Sequence, residues 1–207
     1  MRGRMAPSIA PAPTPLARQL ADGGRPGRPG ALDAFQVARR AFLKGQRIEM
    51  QALAAELGTS RVTLHRWVGS RDLLLAEINW SMANMALAHA REQTTSQGGA
   101  GVAETIERFL NLVLDAPYIR SFVSREPEIA LRILTTQRSP FQARLVSAVE
   151  TMLREETDAG RLDPPMELDD LAYVVVRLAE SFCWADFIVS EVPDPHKARL
   201  AIAALLR

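Results

Sequence analysis

The chain has 207 residues, 47% of them apolar and 24% charged, as in a globular protein of one sizeable domain or two small ones. It holds no run of apolar residues long enough to span a membrane, and its single cysteine, Cys183, excludes an intramolecular disulfide framework and fits a reducing cytoplasm. The net charge of +1 hides an uneven spread: residues 1–76 carry 12 Lys or Arg against 5 Asp or Glu, and residues 77–207 carry 13 against 19. A basic amino-terminal third on an otherwise acidic chain is the footprint of phosphate binding.

Residues 1–30 hold six of the thirteen prolines and little bulky apolar content, so they are expected to form a disordered tail. Pro, Gly and Arg stand where a secretory signal would need an apolar core, and Met1 and Met5 are both open as starts. Residues 24–30 read Gly-Arg-Pro-Gly-Arg-Pro-Gly and carry Arg25 and Arg28. Such an extended basic arm can enter a narrow A·T-rich minor groove, or it can be a solvated linker. From residue 31 onward the pattern is helical throughout, and the expected fold is all-α. A first helix from Leu32 to Lys44 presents Phe35, Val37, Ala38, Ala41 and Phe42 as a packing face.

Residues 49–75 are the most informative stretch. Leu53, Ala54 and Leu57 mark the apolar face of a short helix, and Gly58 follows where that helix should stop. Thr59 and Ser60 can cap a second helix, in which Val62, Leu64 and Trp67 are expected to pack back on the first. This is a helix-turn-helix, with Ala54 small enough for close crossing and Gly58 free to take the positive φ of the turn. Arg61, Thr63, His65 and Arg66 remain for the outward face, a chemistry that suits the major groove of double-stranded DNA.

The segment resembles the DNA-binding domain of TetR-family transcriptional regulators, with the pattern Ile-Ala-x-x-Ala-Gly-Val-Ser-x-x-Thr-Leu-Tyr-x-x-Phe-x-x-Lys-x-x-Leu. Ala54, Gly58, Ser60, Thr63, Leu64 and Leu74 meet that pattern, and Leu53 and Arg71 meet it conservatively. Leu57, Thr59, His65 and Val68 depart from it, His65 standing where the family has a phosphate-binding Tyr. The resemblance implies DNA contacts by Ser60, Arg61, Thr63, His65 and Arg66, with Arg71 on phosphate. Residues 66–71, Arg-Trp-Val-Gly-Ser-Arg, are similar to the branch typified by the quorum-sensing regulator QsdR. The expected organisation is a tail over 1–30, a helix-turn-helix domain over 31–76 and a helical ligand-binding and dimerisation domain over 77–207.

Beyond the motif, a long helix is expected from Ser70 to about Arg91, broken by the polar stretch 93–99. Further helices are suggested at 102–114, 117–125, 127–136, 140–159, 167–190 and 195–206. In the family such a domain binds a small effector and forms a homodimer. Phe141, Leu145, Ala148, Val149, Met152 and Leu153 line one stripe of the 140–159 helix, and residues 171–188 are apolar nearly all round. Both are expected at a four-helix dimer interface. Arg177 and Glu180, spaced i, i+3, are a structural ion pair or the polar anchors of a ligand pocket. Phe109, Val113, Tyr118, Phe122, Tyr173, Trp184 and Phe187 are candidate pocket walls.

No nucleophile elbow, phosphate loop or zinc helix is found, and His65, His89 and His196 are scattered without metal-ligand spacing. No enzyme activity, metal or cofactor is expected. The reading is a cytoplasmic, homodimeric DNA-binding repressor released from its operator by a small apolar or amphipathic effector, with no membrane partner. Two alternatives stand beside it: a helical ligand-binding protein or enzyme with a merely structural hairpin, and an architectural minor-groove binder working through the tail.

Overall fold

The computed structural model describes residues 14–16, 18, 29–136, 139–188 and 191–207, and every regular element among them is a helix. The fold is all-α. It divides into two compact units, one of Met1–Trp80 with Ser121–Gln142 and the other of Ser81–Arg120 with Ala143–Arg207. Residues 121–142 thus group with the amino-terminal helices, and the division after Trp80 falls beyond the expected boundary at 76.

In the first unit, α1 (Ala31–Leu43), α2 (Met50–Glu56) and α3 (Arg61–Val68) pack on one another. Asp33 accepts the Gly30 N–H at 2.8 Å and satisfies one of the free donors at the start of α1. Ala31, Ala34, Phe35, Ala38 and Phe42 then recur at helical spacing and bury one face. After α2 the chain turns at Gly58, whose φ of +61° would cost a side chain about 1–2 kcal/mol. Ser60 accepts the Thr63 N–H at 3.1 Å and starts α3.

Val62 was expected inside and is instead 81% exposed. The reason is the helical period: Leu64 and Val68, four apart, share the buried face, and Val62 lies about 200° from Leu64. The tail expectation also fails locally. Leu16 is fully buried, and the Arg18 N–H donates to the Thr14 carbonyl at 3.1 Å, so the described residues of the tail are packed. The rest of the tail, including Arg25 and Arg28, lies outside the described residues.

Ser70 accepts the Leu73 N–H at 3.2 Å and opens α4 (Arg71–Gln93), whose residues 74–79 are buried at every position. After α5 (Gly98–Asp115) come α6 (Pro117–Arg125), α7 (Pro127–Thr135) and α8 (Pro140–Asp158). Each of these three begins on a proline, which the first helical position accepts because its N–H is unbonded there. Within the first unit Phe122 meets Phe42 edge to face at 5.3 Å, and Phe141 meets Trp80 at 6.3 Å.

The second unit is built on α5, α9 (Leu168–Cys183) and α11 (Pro195–Leu205), which pack on one another, with the short α10 (Ala185–Ile188) after Trp184. The polar stretch 93–99 was read as a break reaching past the glycines, yet α5 begins at Gly98. A Cβ on Gly99 would overlap the carbonyl of Leu206, so this glycine serves close packing at a helix start. The loop before it is pinned by Glu104, which accepts the Ser96 N–H at 3.1 Å, and by Thr94 bonded to Thr105 at 2.9 Å.

The α8 stripe expected at a dimer surface lies inside. Phe141, Leu145, Val149, Met152 and Leu153 are buried, Val149 fully, and only Ala148 is half-covered. Val175 of α9 is likewise fully buried. Leu171, Ala172, Val175, Val176, Ala179 and Cys183 bury one face of α9 in its own unit, and the expected helix to 190 stops at Cys183. Burial pushes the Cys183 thiol up to about 12, with the carboxylate of Asp186 adding to the effect, so the thiol is inert.

Candidate nucleic-acid interface and ligand unit

The helix-turn-helix places Arg61, Val62, His65 and Arg66 in solvent on α3, while Leu64 and Val68 hold the helix to its unit. Ser60 is exposed, and its hydroxyl is used twice within the chain, capping Thr63 N–H and donating to the Thr63 hydroxyl at 3.0 Å. Thr63 is half-buried. Two guanidinium forks, an imidazole and an isopropyl group therefore make the outward surface. That surface can donate to guanine O6 and N7 or to phosphate, and can touch a base methyl. Sequence reasoning missed Val62. The spacing of Leu64 and Val68 was the available signal.

Arg71, expected on phosphate, is occupied elsewhere. Its Nε donates to the Ile48 carbonyl at 2.6 Å and its Nη2 to Glu126 Oε1 at 2.7 Å, with the Glu126 side chain only 9% exposed. Arg47 adds a longer ion pair to Glu126 at 3.7 Å. Arg132 pairs with Asp72 at 2.6 Å. The residue that starts α4 is thus a tie within the first unit, joining the α1–α2 loop to the turn before α7. A charge held on two partners has little freedom to follow a DNA backbone.

In the second unit Phe109, Glu180 and Trp184 are buried, Val113, Tyr118 and Arg177 half-buried, and Tyr173 is 39% exposed. Arg177 and Glu180 form the ion pair their spacing predicts, and the Arg177 guanidinium lies 5.7 Å from the Tyr173 ring centre. Phe122 departs from the expected set, being a core residue of the first unit against Phe42. Phe187 lies among residues whose side chains are not described. An open cleft of about 480 Å³ is lined by Asn84, Leu87, Ala88, Arg91, Glu92, Ala148 and Thr151, and a smaller one of about 150 Å³ lies beside Arg91, Thr94, Thr105 and Met152. None of the expected pocket residues whose side chains are described lines either. The cleft walls come from α4 and α8, whose residues of ordinary amphipathic type gave no sequence signal.

Glu104 is held down to about 2 from the usual 4.5 by its bond to Ser96, then by Arg108, against the opposing effect of burial. Arg108 reaches it through Nε at 2.9 Å and Nη2 at 2.7 Å. Glu156 is also lowered, first by Arg161 and then by the Gly98 N–H, which donates to it at 2.7 Å. Both carboxylates fasten the start of α5.

The family model described as the tetracyclin repressor-like C-terminal domain matches residues 97–207. No curated protein matches the sequence. Among solved structures, the R. erythropolis transcriptional repressor QsdR, from the TetR family, is 25% identical, with a TM-score of 0.80 over 85% of this chain and 93% of that one. The TetR family repressor AlkX from Dietzia sp., implicated in biodegradation of n-alkanes, is 23% identical, with a TM-score of 0.58 over 87% and 95%. The multidrug binding protein EbrR, complexed with imidazole, is 19% identical, with a TM-score of 0.53 over 84% and 88%. The last two are likenesses of fold.

Proposed function

The chain belongs to the TetR family of DNA-binding transcriptional regulators, and from this we propose a homodimeric repressor that a small apolar or amphipathic effector releases from a palindromic operator. The observation that carries the reading is the exposed face of α3, where Arg61, His65 and Arg66 stand together above a buried Leu64 and Val68. Arg61 is the first residue of α3, the end from which side chains reach base edges. We read a cytoplasmic regulator without a catalytic role; no helix of the described residues is long and apolar enough to cross a membrane.

Pairing of two copies is supported by what the second unit leaves uncovered. On α9, Tyr173 and Ser181 are exposed and Val174, Arg177 and Leu178 half-covered, all on one helical face. On α11, Leu200 is 57% exposed and Ala204 is exposed too. Two such faces from two copies would make an isologous interface, and would hold the recognition helices about 34–36 Å apart for successive half-sites.

The proposed effector residues are Phe109, Val113, Tyr118, Tyr173, Arg177, Glu180 and Trp184, with the Arg177–Glu180 pair orienting a polar end. An effector releases DNA only by binding the DNA-incompetent arrangement more tightly. The helix α4 runs from the recognition motif to Gln93, so a change in its tilt would reset the spacing of the recognition helices.

The test is a selection from a random duplex pool with the full chain, followed by Arg61→Ala. The substitution should cost roughly 1–3 kcal/mol on the selected sequence and relax preference at one position of each half-site. An Arg61→Ala protein that ranks selected and scrambled duplexes as the wild type does would remove Arg61 from the reading surface.

A further inference from the structure

We propose that Val62 reads the methyl group of a thymine in the major groove and is a specificity-determining residue of this helix-turn-helix, the head of the molecule. The proposal rests on α3 being the DNA-reading helix and adds to it a contact that the charged residues cannot make.

Val62 is the second residue of α3 and is 81% exposed, with Arg61, His65 and Arg66 exposed around it. Neither of the usual reasons for a valine holds here. It is not needed for the core, since Leu64 and Val68 supply the buried face. Nor does it help the helix, because a β-branched residue is a weaker helix former than Ala, Lys or Glu, and α3 is only 8 residues long. One apolar side chain ringed by basic groups is also not the broad patch that a protein partner would need.

The ring of neighbours explains what it can do. Arg61 and Arg66 are donors, and donors recognise the N7 and O6 acceptors of guanine or the oxygens of phosphate. They gain nothing from the C5-methyl of thymine, which is the one apolar mark on a major-groove edge. An isopropyl group among them supplies the missing contact. Burying one methyl against it is worth about fourfold in affinity, enough to fix a base that the arginines leave undecided.

The experiment uses duplexes selected from the random pool by the wild-type full chain. Each thymine of the consensus is replaced, symmetrically in both half-sites, by uracil, which pairs identically and lacks only the methyl. Wild type should lose about fourfold per half-site at one such position and little elsewhere. Val62→Ala, whose methyl stops at Cβ, should discriminate the thymine and uracil forms of that duplex less than wild type, and Val62→Thr, which keeps a γ-methyl, should still prefer thymine. Because Val62 is exposed, neither variant should melt below wild type, and Val62→Ala should gain slightly from its better helix propensity. A wild type indifferent to every uracil, or a Val62→Ala protein that discriminates as strongly as wild type, overturns the inference and leaves the DNA-binding reading standing. A pool that yields no consensus overturns both.

Discussion

Gly58 in the head and Gly99 in the ligand unit are both required, for opposite reasons. A Cβ on Gly58 would meet nothing within 4 Å, and only its φ of +61° demands glycine. A Cβ on Gly99 would overlap the Leu206 carbonyl, more than a hundred residues along the chain. The head is specified by local chemistry: a turn glycine, a Ser60 cap, and two helices of 7 and 8 residues. The ligand unit is specified by mutual fit between α5, α9 and α11, elements distant in sequence. Function follows the same division. The head keeps a small face free of its own packing, while the ligand unit commits most of its apolar surface to itself.

The largest effect should come from breaking the fit. Val149→Asp places a charge at a position with no exposure, where no solvation is available to it. The expected loss is about 5 kcal/mol, enough to unfold the chain. If Val149 lay at a dimer surface, the same change would give folded monomers. Circular dichroism with sedimentation distinguishes the two, and a folded, monomeric Val149→Asp protein would restore α8 to the interface.

That contrast also explains what could be read before the structure. The helix-turn-helix was legible because each of its devices sits within a few residues of its partner: Gly58 between two short helices, Ser60 three before Thr63, Leu64 four before Val68. The starts of α6, α7 and α8 were legible for the same reason, each carrying its proline. Val62 faces solvent because its angle on α3, not its hydrophobicity, decides its side. Leu16 was misread because a proline-rich context conceals one anchoring residue. In the ligand unit, the burial of Val149 and Val175 and the glycine start of α5 depend on partners far along the chain. The open cleft is the extreme case: Leu87 and Thr151 become neighbours only when α4 and α8 pair, and neither residue type announces a site.

A middle-sized effect is expected at Arg71, where the family resemblance and the geometry pull apart. A phosphate contact predicts that Arg71→Ala binds every duplex more weakly, lowers the salt slope by about one unit and leaves the melt unchanged. The bonds to Ile48 and Glu126 predict a stability loss instead, because among the described residues Glu126 would keep only the distant Arg47. With the Arg71 side chain 18% exposed, the cost should be about 2 kcal/mol, below that of breaking a fully buried pair. Combining Arg71→Met with Glu126→Gln removes both charges and should recover part of the loss. An unchanged melt for Arg71→Ala, with a reduced salt slope, would return Arg71 to the DNA.

A pH-dependent effect tests whether the fastening of α5 is electrostatic. Glu104 titrates at about 2 in the folded chain and near 4.5 when unfolded. A carboxylate whose pKa is depressed by folding stabilises the fold while ionised. Its contribution is therefore complete above about 4.5 and is lost as pH falls from there towards 2. Melting temperature followed from pH 7 to pH 2 should show this loss as one component of the acid limb. Glu104→Gln keeps the shape and an acceptor for the Ser96 N–H but gives up the charge that faces Arg108. Its melting temperature should lie below wild type at neutral pH, and the two curves should converge as pH approaches 2. Other carboxylates, Glu156 among them, titrate in both proteins and cancel in the difference. Curves that stay parallel down to pH 2 would mean that Glu104 holds the loop by shape alone. The start of α5 would then owe its place to the Gly99 contact with Leu206, and not to charge.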